Sequence, residues 1–106
     1  KESFKVPDRE RLKVFLAQLG KKAKKEAFKI MDQLQNEEIP VRTALAKDSL
    51  RDQLKMADRT NARITLILGE KELQEGSIII RDMREGTQDI IPRDKVVSIL
   101  KKKLKL

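Results

Sequence analysis

The twenty residues 64–83, ITLILGEKELQEGSIIIRDM, decide how the chain is read. They open with the run Ile64-Thr65-Leu66-Ile67-Leu68, which stops at Gly69. A charged turn at 70–75 closes at Gly76, and Ile78-Ile79-Ile80 then passes into Arg81-Asp82. Short aliphatic runs bounded by glycine predict strands covered on both faces, because an amphipathic helix would place polar residues on a 3.6-residue period. Strand, polar turn, strand is therefore the predicted centre of a sheet. In an open α/β sheet the segment outside a strand's carboxyl end is where ligands gather. Glu70, Glu72 and Arg81 are the side chains this stretch offers there.

The flanking segments supply the rest of the fold. LKVFLAQL at 12–19 predicts a buried strand ended by Gly20. Within 21–38, Ala23, Ala27, Ile30, Met31 and Leu34 recur at spacings of three and four, which makes one apolar helical stripe. Proline disfavours helix in the residue before it, so Ile39-Pro40 ends that helix ahead of a short strand at 41–45. Strand, helix, strand at this spacing implies a right-handed crossover and a parallel pair. Ser49, with Asp52 three residues on, opens a second helix. Its expected buried stripe is Leu50, Leu54 and Ala57, with Met56 adding to it, and it ends near Thr60-Asn61. Downstream, Arg84-Glu85-Gly86-Thr87 predicts a hairpin turn into an antiparallel strand at 88–91. Pro92 and Asp94 begin a last helix with Val96, Val97, Leu100 and Leu104 inward. The fold class is α/β: a three-layer arrangement with a mixed five-stranded sheet flanked by three main helices. Residues 1–11 read as a lead-in or linker end and 12–106 as one domain. A start at Lys1, without methionine, is expected of a piece of a longer chain.

Composition prunes the chemistry. The 106 residues include no histidine and no cysteine, which removes the usual general base, the commonest metal ligand and the thiol nucleophile. Only carboxylates, lysines and hydroxyls are left for catalysis, so a small carboxylate-dependent enzyme ranks last, and catalytic residues, cofactors and metals are not expected. Ser49 has no base to activate it and reads as a helix cap. Asp82 with Glu85 or Asp89 is a weak magnesium pattern of the kind hairpins commonly carry. No apolar stretch approaches a membrane span, and no signal-peptide core opens the chain. A reducing, cytoplasmic setting suits the absence of cysteine. With Phe4, Phe15 and Phe28 as the only aromatic residues, a base-stacking platform is not expected, and any bases bound would be recognised by hydrogen bonds and arginine planes.

The net charge is +8 and is concentrated. Lys21, Lys22, Lys24, Lys25 and Lys29, less Glu26, carry half of it, and Lys101, Lys102, Lys103 and Lys105 carry the other half. Local basic patches favour polyanions, and the plainer reading is a solvated helix face and tail.

LILGEKELQEGSIIIRDMREGTQDIIP, with LRDQLKMADRTNA upstream, resembles the anticodon-binding domain of class II aminoacyl-tRNA synthetases. Within that family it is most similar to the C-terminal domain of the histidine-specific enzymes. The resemblance runs from about Val14 to Leu100. It implies recognition of a histidine tRNA anticodon loop and no chemistry, with amino-acid attachment left to a separate catalytic domain of a parent chain. It also implies a monomeric fragment of a homodimeric parent. By position, Glu72 matches the family's base-contacting glutamate and Arg81 its basic base- or phosphate-contacting residue. Lys47 and Asn61 fall near further contact positions, and Arg63 is a phosphate contact on position only. Glu72 also reads as the cap of a short surface helix, and Arg81 as a strand residue paired with Glu72 or Asp82. The same fold serves protein contact and duplex DNA binding in the accessory subunit of the mitochondrial DNA polymerase, which is the alternative reading.

Overall fold

The computed structural model describes residues 14–44 and 49–105. Expectations placed on the lead-in at 1–11 and on Lys47 lie outside the described residues. Five strands form one sheet: β1 (Val14–Gln18), β2 (Val41–Thr43), β3 (Ile64–Leu68), β4 (Ser77–Asp82) and β5 (Gln88–Pro92). Their order is β2-β1-β3-β4-β5. β1 runs parallel to both β2 and β3, whereas β3–β4 and β4–β5 are antiparallel. The helices are α1 (Lys21–Asn36), α2 (Leu50–Arg59), α3 (Glu70–Glu75) and α4 (Val96–Leu104), with a 3-10 turn at Arg93–Lys95 before the last.

Handedness assigns the layers. α1 connects β1 to β2, and α2 returns from β2 across β1 to β3. Two right-handed crossovers in opposite directions put their helices on opposite faces. The cores agree. On the first face Val14, Leu16, Ile64, Leu66, Leu68, Ile78 and Ile80 pack with Ala23, Ala27, Ile30 and Leu34 of α1 and with Val96, Leu100 and Leu104 of α4. On the second face Phe15 packs with Ala57 of α2 and with Ala44, Ala62, Met56 and Met83. The α1 stripe and the inward face of α4 are those read from the spacing, except that Met31 and Val97 lie at the rim of the core.

Two local features depart from the reading. The charged turn after Gly69 is a helix of one and a half turns, ended by Gly76 in the left-handed region at φ 66°. In α2 the buried stripe holds Gln53 and Ala57, while Leu50 and Leu54 are only half-buried. Gln53 is drawn in by the backbone. β2 ends at Thr43, opposite Leu16, so Gln18 has no strand partner on that side. The Gln53 carboxamide takes the place of one: its Oε1 accepts from Gln18 N at 2.9 Å and its Nε2 donates to Gln18 O at 2.8 Å. One side chain thus extends the ladder where the strand stops, satisfying two buried polar groups.

Candidate functional site

The strand order reverses at β1, so the crevice outside the carboxyl ends of β1 and β3 is the topological switch point of the sheet. Gly20 and Gly69 meet there. Gly20 has φ 101°, and a Cβ on it would lie 3.1 Å from Glu70 Oε2, so the β1–α1 turn and the start of α3 are packed tightly together. Glu72 stands one turn further on. Its Oε1 accepts a hydrogen bond from Gly69 N at 2.9 Å, capping α3. That bond fixes the carboxylate and uses one of its roughly four acceptor positions. The capping role and a ligand-facing role are therefore compatible on one side chain.

Arg81 is not beside Glu72. The chain reverses at Gly76 and runs back along β3, which brings Arg81 opposite Thr65. Four residues of extended strand, about 13 Å, separate that position from Gly69. Arg81 Nη1 donates to Gln88 Oε1 at 3.2 Å, a neutral partner on the neighbouring strand in place of Glu72 or Asp82. Glu72 and Arg81 thus bracket a stretch of sheet.

What lies between them is the part of the second face beyond α2. By strand alternation Ile67, Ile79 and Ile90 share that face, in the register Ile67↔Ile79↔Ile90, with Arg81↔Gln88 in the next row. Ile79 is half-buried, Gln88 is exposed, and Ile90 is 66% exposed. An exposed isoleucine among an arginine and an amide makes a surface that is apolar in the middle and hydrogen-bonding at its edge. Gln88 and Ile90 were not singled out from the sequence. Their alternation with the buried-face residues of β4 was the available signal.

At the other end of β3, Asn61 and Arg63 line one cleft of about 280 Å3 with Asp58, Ala62, Met83 and Arg84. Asn61 has φ 59°, the left-handed turn that ends the α2 connection. Arg63 Nε is buried without a hydrogen-bond partner. The structure thus brings Asn61 and Arg63 together, places Arg81 on the adjoining strand, and leaves Glu72 at the far end. Arg84 joins this cleft from the β4–β5 turn, where it was read only as a turn residue, and Met83 joins it from just after β4.

That turn is fixed by Asp82. Its Oδ1 accepts from Glu85 N at 3.0 Å and from Arg84 N at 2.9 Å. These two bonds, first the one from Glu85, hold its carboxyl below the ordinary value of 3.8, aided by the positive charges of Arg63 and Lys103 and opposed by partial burial. A depressed folded-state pKa contributes stability above the unfolded pKa and loses it as pH falls through the folded one. Stability should therefore decline below about pH 4, and less steeply in Asp82→Asn. Acid-unfolding curves of the two chains check this, and superimposable curves would contradict it. Among the described residues no group of carboxylates is gathered to hold a metal ion. No described helix is long and apolar enough to cross a membrane.

Comparison with known proteins bears on the whole domain. A family model described as "Anticodon binding domain" matches residues 13–103. The histidine–tRNA ligase of Thermosipho melanesiensis is 40% identical over 97 residues, covering 92% of this chain and 23% of the relative. That of Thermodesulfovibrio yellowstonii is 36% identical over 90 residues, covering 85% of this chain and 21% of the relative. The chain spans about a fifth of the length of these curated relatives. The structure of the S. aureus histidyl-tRNA synthetase superposes with a TM-score of 0.80 at 27% identity, over 86% of this chain and 27% of the other. That of a Nostoc histidyl-tRNA synthetase shares the fold, with a TM-score of 0.78 at 21% identity.

Proposed function

Because this chain belongs to the anticodon-binding domain family, we propose that it binds the anticodon loop of a histidine tRNA on the open half of its second sheet face. The observation that carries this is the exposed strip of Ile79, Gln88 and Ile90 bracketed by a fixed carboxylate and an arginine. An anticodon loop offers unstacked bases with exposed Watson–Crick edges. Guanine presents two N–H donors on one edge, which suits the remaining acceptor positions of Glu72. The Arg81 fork pairs with two acceptors or lies flat on a base, and Gln88 exchanges one hydrogen bond for another as it does so. Ile79 and Ile90 give the bases an apolar floor in the absence of an aromatic one. Asn61 and Arg63 hold the flanking backbone at the cleft, and Lys47, between β2 and α2 in the sequence, is assigned a further contact.

The rest of the reading concerns a longer protein. The domain serves a histidine–tRNA ligase whose separate catalytic part attaches the amino acid, working in the cytoplasm as a homodimer. The chain itself, taken as a domain over 12–106, is monomeric and performs no chemistry. Phosphate contacts supply affinity and base contacts supply selectivity. The test is fluorescence anisotropy with a histidine-tRNA anticodon stem-loop and with the same stem carrying a scrambled loop. The cognate loop should bind at least tenfold tighter, a difference of about 1.4 kcal/mol. Equal affinity would overturn the reading.

A further inference from the structure

The two lysine clusters, which together account for the whole net charge of +8, belong to one layer. α1 and α4 pack on the same face of the sheet, opposite to the face assigned above to the anticodon loop. They are joined at the turn that leads into α4 and at the residue that follows α1. Arg93 donates to Glu26 Oε2 at 3.2 Å and to Gln33 Oε1 at 3.1 Å, and Lys101 pairs with Glu37. These contacts set the helices alongside one another in the same direction, so the lysines of α1 lie at one end of the layer and Lys102, Lys103 and Lys105 at the other. Lys21, Lys22, Lys25 and Lys29 are exposed, and Phe28 among them is 55% exposed. Lys21, Lys25 and Lys29 stand four residues apart, a ridge with about 6 Å of rise between charges.

We propose that the α1–α4 layer is a second RNA surface, which grips the phosphate backbone of a base-paired stem without reading sequence. It builds on the family membership but uses none of the residues assigned to loop recognition. Residue type separates the two faces. The sheet face carries arginines, whose planar forks suit base edges, whereas this ridge is all lysine, a mobile point charge suited to phosphate. Protein interfaces deplete lysine at their centres, which disfavours a protein partner. A membrane would need an apolar face, and that of α1 is spent on the core through Ala23, Ala27, Ile30 and Leu34.

The probe is a blunt RNA duplex with no loop, titrated against the 106-residue chain and its Lys21→Glu/Lys25→Glu/Lys29→Glu variant across a salt series. All three sites are exposed, and circular dichroism of the variant checks that it folds. The variant should bind the duplex at least tenfold more weakly at low salt. Its slope of log affinity against log salt should be shallower by about 2.7, since each of the three phosphates no longer neutralised contributes about 0.9. The cognate-to-scrambled ratio for stem-loops should stay unchanged. Unaltered duplex affinity and slope would overturn the proposal, as would loss of loop selectivity in this variant. If the wild-type chain shows lysine-dependent duplex binding but no loop selectivity, the anticodon reading fails and this one stands.

Discussion

Gln53→Leu is expected to lower the stability of the domain by about 3 kcal/mol, although it replaces a polar residue with an apolar one of similar size in a buried position. Gln53 is fully buried, and its carboxamide pairs with both Gln18 N and Gln18 O. Leucine fills the space but leaves a buried donor and a buried acceptor unpaired, each costing about 1–3 kcal/mol. For a chain of this size the loss corresponds to a fall of roughly 12–24 °C in melting temperature. Gln53→Glu separates the two bonds. Its carboxylate still accepts from Gln18 N but faces Gln18 O without a proton to donate. Protonation restores the donor, so its deficit should shrink as pH is lowered, whereas that of the leucine variant should not. Thermal melts at two pH values measure both effects. A leucine variant within 1 kcal/mol of the parent would show that the ladder extension contributes little.

Arg81→Glu is expected to weaken binding of the cognate anticodon stem-loop by roughly 30-fold, about 2 kcal/mol. A well-placed arginine contact to a base edge is worth about 1–3 kcal/mol of discrimination, and reversal adds repulsion from the backbone. Arg81 is only partly buried and its hydrogen bond goes to exposed Gln88, so the folded state should change by no more than about 0.5 kcal/mol. Arg81→Lys should fall between the two, because an ammonium keeps the charge and loses the fork. Isothermal titration with the cognate and scrambled loops distinguishes the effects. A variant that binds both loops as the parent does would remove Arg81 from the interface.

Much of the architecture was legible because aliphatic runs and glycines mark it. The strands at 64–68 and 78–80 are aliphatic runs broken only by Thr65, and such segments have few alternatives to a covered sheet. The α1 stripe was equally plain, since four of its five apolar positions are fully buried. Gln53 was not legible. Its burial answers a vacancy in the ladder beside Gln18, created by where β2 ends, and no local pattern records that. The layout of the candidate site residues was not legible. Counting back from the reversal at Gly76 would have placed Arg81 opposite Thr65 and well away from Glu72. The exposure of Ile90 depends on α2 packing on β1 and leaving β5 open, which is a property of the assembled layers. The lysine clusters stood out at once, but their common layer depends on the side-by-side packing of α1 and α4, which is tied by a contact between Gln33 of α1 and Arg93, 60 residues on, in the turn that leads into α4.

Chemical-shift mapping of the labelled chain with a histidine-tRNA anticodon stem-loop tests the central claim most directly. The account predicts the largest changes at Gly69 and Glu72 outside the end of β3, and at Ile79, Arg81, Gln88 and Ile90 on the open half of the second sheet face. Changes confined to the helices, with those strand amides unmoved at saturation, would contradict it.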